Sequence, residues 1–156
     1  MKNSKNEMTD RFCSKCTKKK SCGNRHVYVI ELNKEVIRKP NFCPDIVRSS
    51  LTDKSKYFYV GETAHRPDCR YKQHVANRAG IRKYFICNCF ENNIKREFNT
   101  GNRGSKWVKD YHKKGGLRPE HFKSLNPICG NQEDSKKVES ELAKKLISMG
   151  HAAHFN

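Results

Sequence analysis

A single α/β domain, with strands and helices mixed along one chain, is what three stretches of this sequence predict. The runs HVYVIEL (His26 to Leu32) and YFYVGET (Tyr57 to Thr63) are rich in the β-branched and aromatic residues that strands favour. The run EDSKKVESELAKKLISMG repeats apolar residues at Val138, Leu142, Leu146 and Met149, the spacing of one helical face. At 156 residues the chain has the length of one domain. Hydrophobic residues make up 35% and mean hydropathy is −0.97, so the core must come from a few well-placed strands and helix faces.

The elements follow in order. After the first strand, residues 33–56 are polar and interrupted by Pro40 and Pro44, which predicts a connection holding no more than a helical turn. In the second strand, alternation sets Tyr57 and Tyr59 on one face and Phe58 and Val60 on the other. HRPDCRYKQHVANRAG then has Pro67 and Asp68 where a first helical turn favours them and Gly80 where a helix stops. Residues 81–104 carry one strand candidate, Tyr84 to Phe90. SKWVKDYHKKGG opens on a serine cap and predicts a short helix ending at Gly115, and HFKSLNP is a candidate third strand. Gly150 ends the long helix, and HAAHFN is the candidate for a final edge strand.

Thirty-three Lys and Arg against 16 Asp and Glu leave a formal charge of +17, a field that attracts polyanions. Nucleic acid is therefore the expected partner. A membrane is not, because the lysines are spread along the chain and nothing approaches the roughly 20 apolar residues of a spanning helix. The basic start MKNSKNEMTDRFCSKC has no apolar run behind it, so the expectation is a soluble, cytoplasmic protein without a secretory signal. In that compartment the eight cysteines are read as metal ligands, buried thiols or incidental residues rather than a disulfide framework. Cys13, Cys16, Cys22 and His26, spaced C-x2-C-x5-C-x3-H, are candidate ligands of a structural zinc ion. Residues 1–25 are thus a basic, Cys-rich segment ahead of a domain at 26–156. Cys87 and Cys89 would point to opposite faces of a strand and chelate poorly.

Among the acids of the last helix, Glu141 has Lys145 and Glu133 has Lys137 four residues on, as solvent ion pairs do. Glu139 has Ala143 and Leu146 at the matching positions, which puts its carboxylate beside the apolar stripe, either at its rim or where a cation must meet it. Arg70, His74 and Asn77 share a face of the earlier helix, which taken alone is a solvated basic face.

In this order, the strand HVYV, the strand FYVGET, the helix with Arg70 and His74, the later Glu139 and the terminal Phe155-Asn156 resemble the GIY-YIG nuclease family. Val27 and Tyr28 stand at its first motif, and Tyr59, Val60 and Gly61 at its second. The resemblance implies a small, mostly antiparallel sheet flanked by helices and hydrolysis of DNA phosphodiester bonds with a divalent metal, usually magnesium. It implies Glu139 as metal ligand, Tyr28 as general base, Tyr59 as a second hydroxyl, Arg70 on the phosphate with His74 assisting, and Asn156 as the family's terminal Asn. His26 departs from the first motif's Gly, and the connection between the tyrosine strands is unusually long.

The chemistry agrees with those roles, since a phosphodiester needs its developing charge neutralised and its water activated. Gly61, lacking a side chain, is expected to let the substrate backbone approach. Two other classes stay open. One is a non-catalytic, zinc-stabilised nucleic-acid-binding module in which Tyr28 and Tyr59 are core aromatics and Trp107 and Tyr111 stack on bases. The other is a scaffold built on a degenerate nuclease domain.

Overall fold

The computed structural model of the chain describes residues 25–75, 83–86, 95–98 and 105–155. Among the described residues there are six strands: β1 (His26–Leu32), β2 (Tyr57–Thr63), β3 (Lys83–Ile86), β4 (Lys95–Phe98), β5 (His112–Leu117) and β6 (Ala152–His154). The α-helices are α1 (Asp45–Ser49), α2 (Pro67–Val75), α3 (Lys106–Tyr111) and α4 (Gln132–Ser148). Short 3-10 turns cover Lys34–Arg38, Pro119–His121 and Lys123–Leu125.

The main sheet runs β5-β1-β2-β6, and β3 and β4 form a separate antiparallel pair. β1 pairs antiparallel with β2 and β5, while β6 lies parallel to β2, so this α/β fold has a mixed, mostly antiparallel sheet. Tyr28 opposes Gly61 and Ile30 opposes Tyr59, which puts Tyr28, Ile30 and Tyr59 on one face. Val27, Val29, Glu31, Phe58, Val60 and Glu62 take the other. Every β1 residue from Val27 to Leu32 is buried, as a central strand covered on both faces must be. Burial of each such Val, Ile or Phe side chain contributes about 1.5–3 kcal/mol, and this layer supplies much of the core.

Helices cover both faces. α4 begins with a reciprocal cap between Asn131 and Asp134, and its buried face is Ser135, Glu139, Leu142, Ala143 and Leu146. Ser135 donates to Glu62 at 2.7 Å, and Gln132 reaches the same carboxylate at 3.2 Å, which ties the start of α4 to the end of β2. Arg25 completes this knot with an ion pair to Glu62. On the opposite face, α2 brings His74 against β1, and α3 packs Trp107 beneath Phe42 and His154.

Several expectations need correction. HFKSLNP is not a strand, because Phe122 is buried between two 3-10 turns and the residues after it, Lys123 to Leu125, are exposed without alternation. The helix after Ser105 ends at Tyr111, and the residues expected to extend it form β5, an edge strand bonded to β1. Gly116 is needed there, since a Cβ would run into the Glu31 carbonyl. Met149 falls outside the apolar stripe as the exposed C-cap of α4. Cys129 is disulfide-bonded, contrary to the reading of the cysteines, while Cys43 and Cys69 are buried thiols outside any disulfide. Gly80, Asn77, Cys87, Cys89 and the second half of the Tyr84 to Phe90 run lie outside the described residues. No helix among the described residues is long and apolar enough to cross a membrane.

Candidate active site

Tyr28, Tyr59, Arg70, His74 and Glu139 come from β1, β2, α2 and α4, and the fold gathers them. The Tyr28 and Tyr59 rings lie 6.2 Å apart, and the His74 ring is 5.7 Å from the first and 5.5 Å from the second. Tyr28 Oη and His74 Nε2 are hydrogen-bonded at 2.7 Å. Arg70, one helical turn before His74, donates to Gln73 Oε1 at 2.6 Å and acts on both phenols. Glu139 is 1% exposed, and its charge acts on both phenols, which puts the carboxylate within electrostatic reach of the cluster.

Burial dominates the protonation states. It pushes Tyr28 well above the ordinary tyrosine value, with Tyr59 and Glu139 adding to the rise and Arg70 opposing it. Tyr59 is raised by the same burial, again with Arg70 opposing and Glu139 adding. Burial and then the Arg70 charge bring His74 down to about 3, so the imidazole is neutral at pH 7. Without substrate the cluster therefore holds two phenols and a neutral imidazole beside one guanidinium. Tyr28 and His74 are fully enclosed, and half-buried Arg70 is the member nearest solvent.

Gly61 has a different role from the one expected. A Cβ there would collide with Cζ and Oη of Tyr28, so the glycine makes room for the tyrosine ring across the strand pair. His26 is the first residue of β1, opposite Thr63, while Cys13, Cys16 and Cys22 lie outside the described residues, as does Asn156. Among the described residues no group of three His, Cys, Asp or Glu side chains gathers to hold a metal.

Two residues near the cluster went unassigned in the sequence. Ser105, foreseen only as a helix cap, accepts from Trp107 N–H and gives its own backbone N–H to His74 Nδ1 at 2.8 Å, and its side chain is near enough to Tyr59 to lower that phenol's pKa slightly against the dominant rise from burial. His154, paired with Tyr59 across the parallel strands, stacks on that ring at 6.1 Å and donates from Nδ1 to the Phe42 carbonyl at 3.1 Å. The serine had a local signal as a cap; the histidine had none, since its neighbours come from distant segments.

Compared with family models, curated proteins and solved structures, the chain matches none.

Proposed function

We propose that this protein is a metal-dependent endonuclease that hydrolyses DNA phosphodiester bonds with a GIY-YIG-type site. The observation that supports the reading is the convergence of Tyr28, Tyr59, Arg70, His74 and Glu139, residues singled out by their order in the sequence, at one point of the fold. In this reading Arg70, the cation nearest solvent, binds the scissile phosphate and offsets charge as the phosphorane forms. Tyr28 first releases its own proton to solvent, favoured by the Arg70 charge, and as the phenolate then takes the proton of the attacking water, with its oxygen held by His74. Tyr59 donates to the same anionic centre, and the +17 charge draws the polyanion in.

The donor set fits magnesium held through Glu139 alone and completed by water and phosphate oxygens, and does not fit an all-protein metal cage. When bound, such an ion supplies positive charge to the reacting phosphate and its leaving oxygen. Zinc at Cys13, Cys16, Cys22 and His26 is an independent part of the proposal. Cytoplasmic localisation belongs to it as well, and the Cys129 disulfide weighs against that compartment.

A second reading, a non-catalytic nucleic-acid-binding module, is favoured by the complete burial of Tyr28, which suits a core aromatic. It is weakened by Trp107, whose ring is buried against Phe42 and His154 and offers no platform to a base. Incubating the purified protein with supercoiled plasmid, with Mg²⁺ or with EDTA and beside Glu139→Gln, separates the two. Nicking that needs the metal and is lost in the variant is expected. Salt-sensitive binding without cleavage of plasmid, branched DNA or RNA would overturn the nuclease reading and leave the module.

A further inference from the structure

We propose that Ser105 is a positioning residue: its backbone amide fixes His74 as the Nε2-protonated imidazole, which makes His74 a hydrogen-bond donor to the Tyr28 hydroxyl and not a base for it. The catalytic meaning of this rests on the nuclease reading above; the tautomer itself does not. A backbone N–H can only donate, so the 2.8 Å contact from Ser105 N requires a lone pair on His74 Nδ1. The ring is completely buried and neutral, so its single proton sits on Nε2, 2.7 Å from Tyr28 Oη. The opposite tautomer would set one N–H against another inside the protein. Tyr28 therefore receives a hydrogen bond on its oxygen, and the same donor stays in place when that oxygen becomes a phenolate.

Ser105 suits this task by its place in the chain. As the N-cap of α3 its own N–H precedes the helix and takes no part in the helical ladder. Its hydroxyl accepts from Trp107 N–H at 3.2 Å, which fixes the direction of the amide.

The test is ¹⁵N NMR of the imidazole nitrogens in the whole protein at neutral pH, without substrate. Wild type and Ser105→Ala, which keeps the amide, are expected to show a bare Nδ1 and a protonated Nε2. Ser105→Pro deletes the amide at a position whose φ of −71° a proline adopts, and is expected to lose that single tautomer. A protonated Nδ1 in wild type, or an unchanged tautomer in Ser105→Pro, overturns the proposal. Should the proline variant not fold, the scalar coupling between Ser105 N and His74 Nδ1 in wild type decides: present it supports, absent it overturns. In cleavage assays His74→Gln, whose amide donates near the old Nε2 and cannot take a proton, is expected to lose about tenfold through an imperfectly replaced hydrogen bond. A loss of about 10²–10⁴-fold would instead assign a base role to His74 and overturn the proposal. The expected tautomer in a protein that cuts nothing would sink the nuclease reading alone, while the wrong tautomer in an active enzyme would sink this proposal alone.

Discussion

β1 carries a buried polar group on each of its faces, and the two are treated in opposite ways. On one face Glu31 meets Lys113 Nζ at 2.8 Å and Arg118 Nε at 3.1 Å. Burial pushes its pKa up, but the hydrogen bonds and charges of those two cations outweigh it and leave the carboxyl below its ordinary value. On the other face Tyr28, Tyr59 and His74 are all displaced toward their neutral forms by burial, with a single guanidinium nearby. The first arrangement is complete once the chain folds, because its charge is already matched. The second can still change, since a phosphate or a cation arriving there alters which protonation state is favoured. A buried ion pair thus marks support, and a buried neutral cluster of titratable groups marks a place where chemistry is expected.

The largest expected contrast tests that distinction directly. Tyr28→Phe removes only a hydroxyl, and cleavage is expected to fall about 10²–10⁴-fold. Glu31→Gln, three residues along the same strand, should leave the specific activity of the folded protein unchanged. Equal losses measured by plasmid nicking would erase the difference between the faces.

Acid sharpens the comparison. Unfolded His74 takes up its proton near 6.5 and the folded residue only at about 3. Between those values the unfolded chain binds more protons, so stability falls as pH drops from 6.5 toward 3, by up to about 5 kcal/mol from this residue. His151 and His154, also held below their ordinary value chiefly by burial, lose stability in the same direction. Glu31 and Glu62 act later, because their contribution is whole above the unfolded value of 4.5 and is lost only as pH falls through the lowered folded one. Urea denaturation across this range should show wild type weakening from pH 6.5, and His74→Gln holding most of its stability until about 4.5. A wild-type midpoint flat down to 4.5 would contradict the neutral buried imidazole.

Smaller effects are structural. Glu31→Gln should cost about 1.5–3 kcal/mol, toward the low end because Lys113 is 44% exposed. Gly61→Ala should cost about 1–3 kcal/mol by crowding the Tyr28 ring, and thermal unfolding that matches wild type would show that the ring moves aside freely.

How far the sequence could be read depended on whether an element was specified by its own residues. β1, β2, α2 and α4 carry their own signals of alternation, capping and apolar stripe, and each forms where those signals lie. For Glu139 the sequence showed only an acid beside the apolar stripe, at its rim or inside it; the structure decides for the inside, with Ala143 and Leu146, its neighbours on the helix, both in the core. β5 was not legible because HKKGGL has no apolar alternation and is ordered by its partner, with Leu117 opposite Ile30 and His112 opposite Leu32. His154 and the second task of Ser105 were hidden for a related reason. One depends on a strand that reaches β2 from far along the chain, the other on a backbone amide, which no residue type reveals.

The parallel docking of β6 on β2 has a consequence for the order of synthesis. A parallel neighbour cannot be supplied by a tight turn, so β6 must arrive by a long crossover, and α4 with Glu139 is part of it. During translation both phenols, Arg70 and His74 leave the ribosome well before the carboxylate they are grouped with. A chain terminated just before residue 139 already holds 31 of the 33 lysines and arginines that attract nucleic acid but lacks Glu139. Affinity for a polyanion thus precedes the assembled cluster, and a growing or broken chain is expected to bind without cutting.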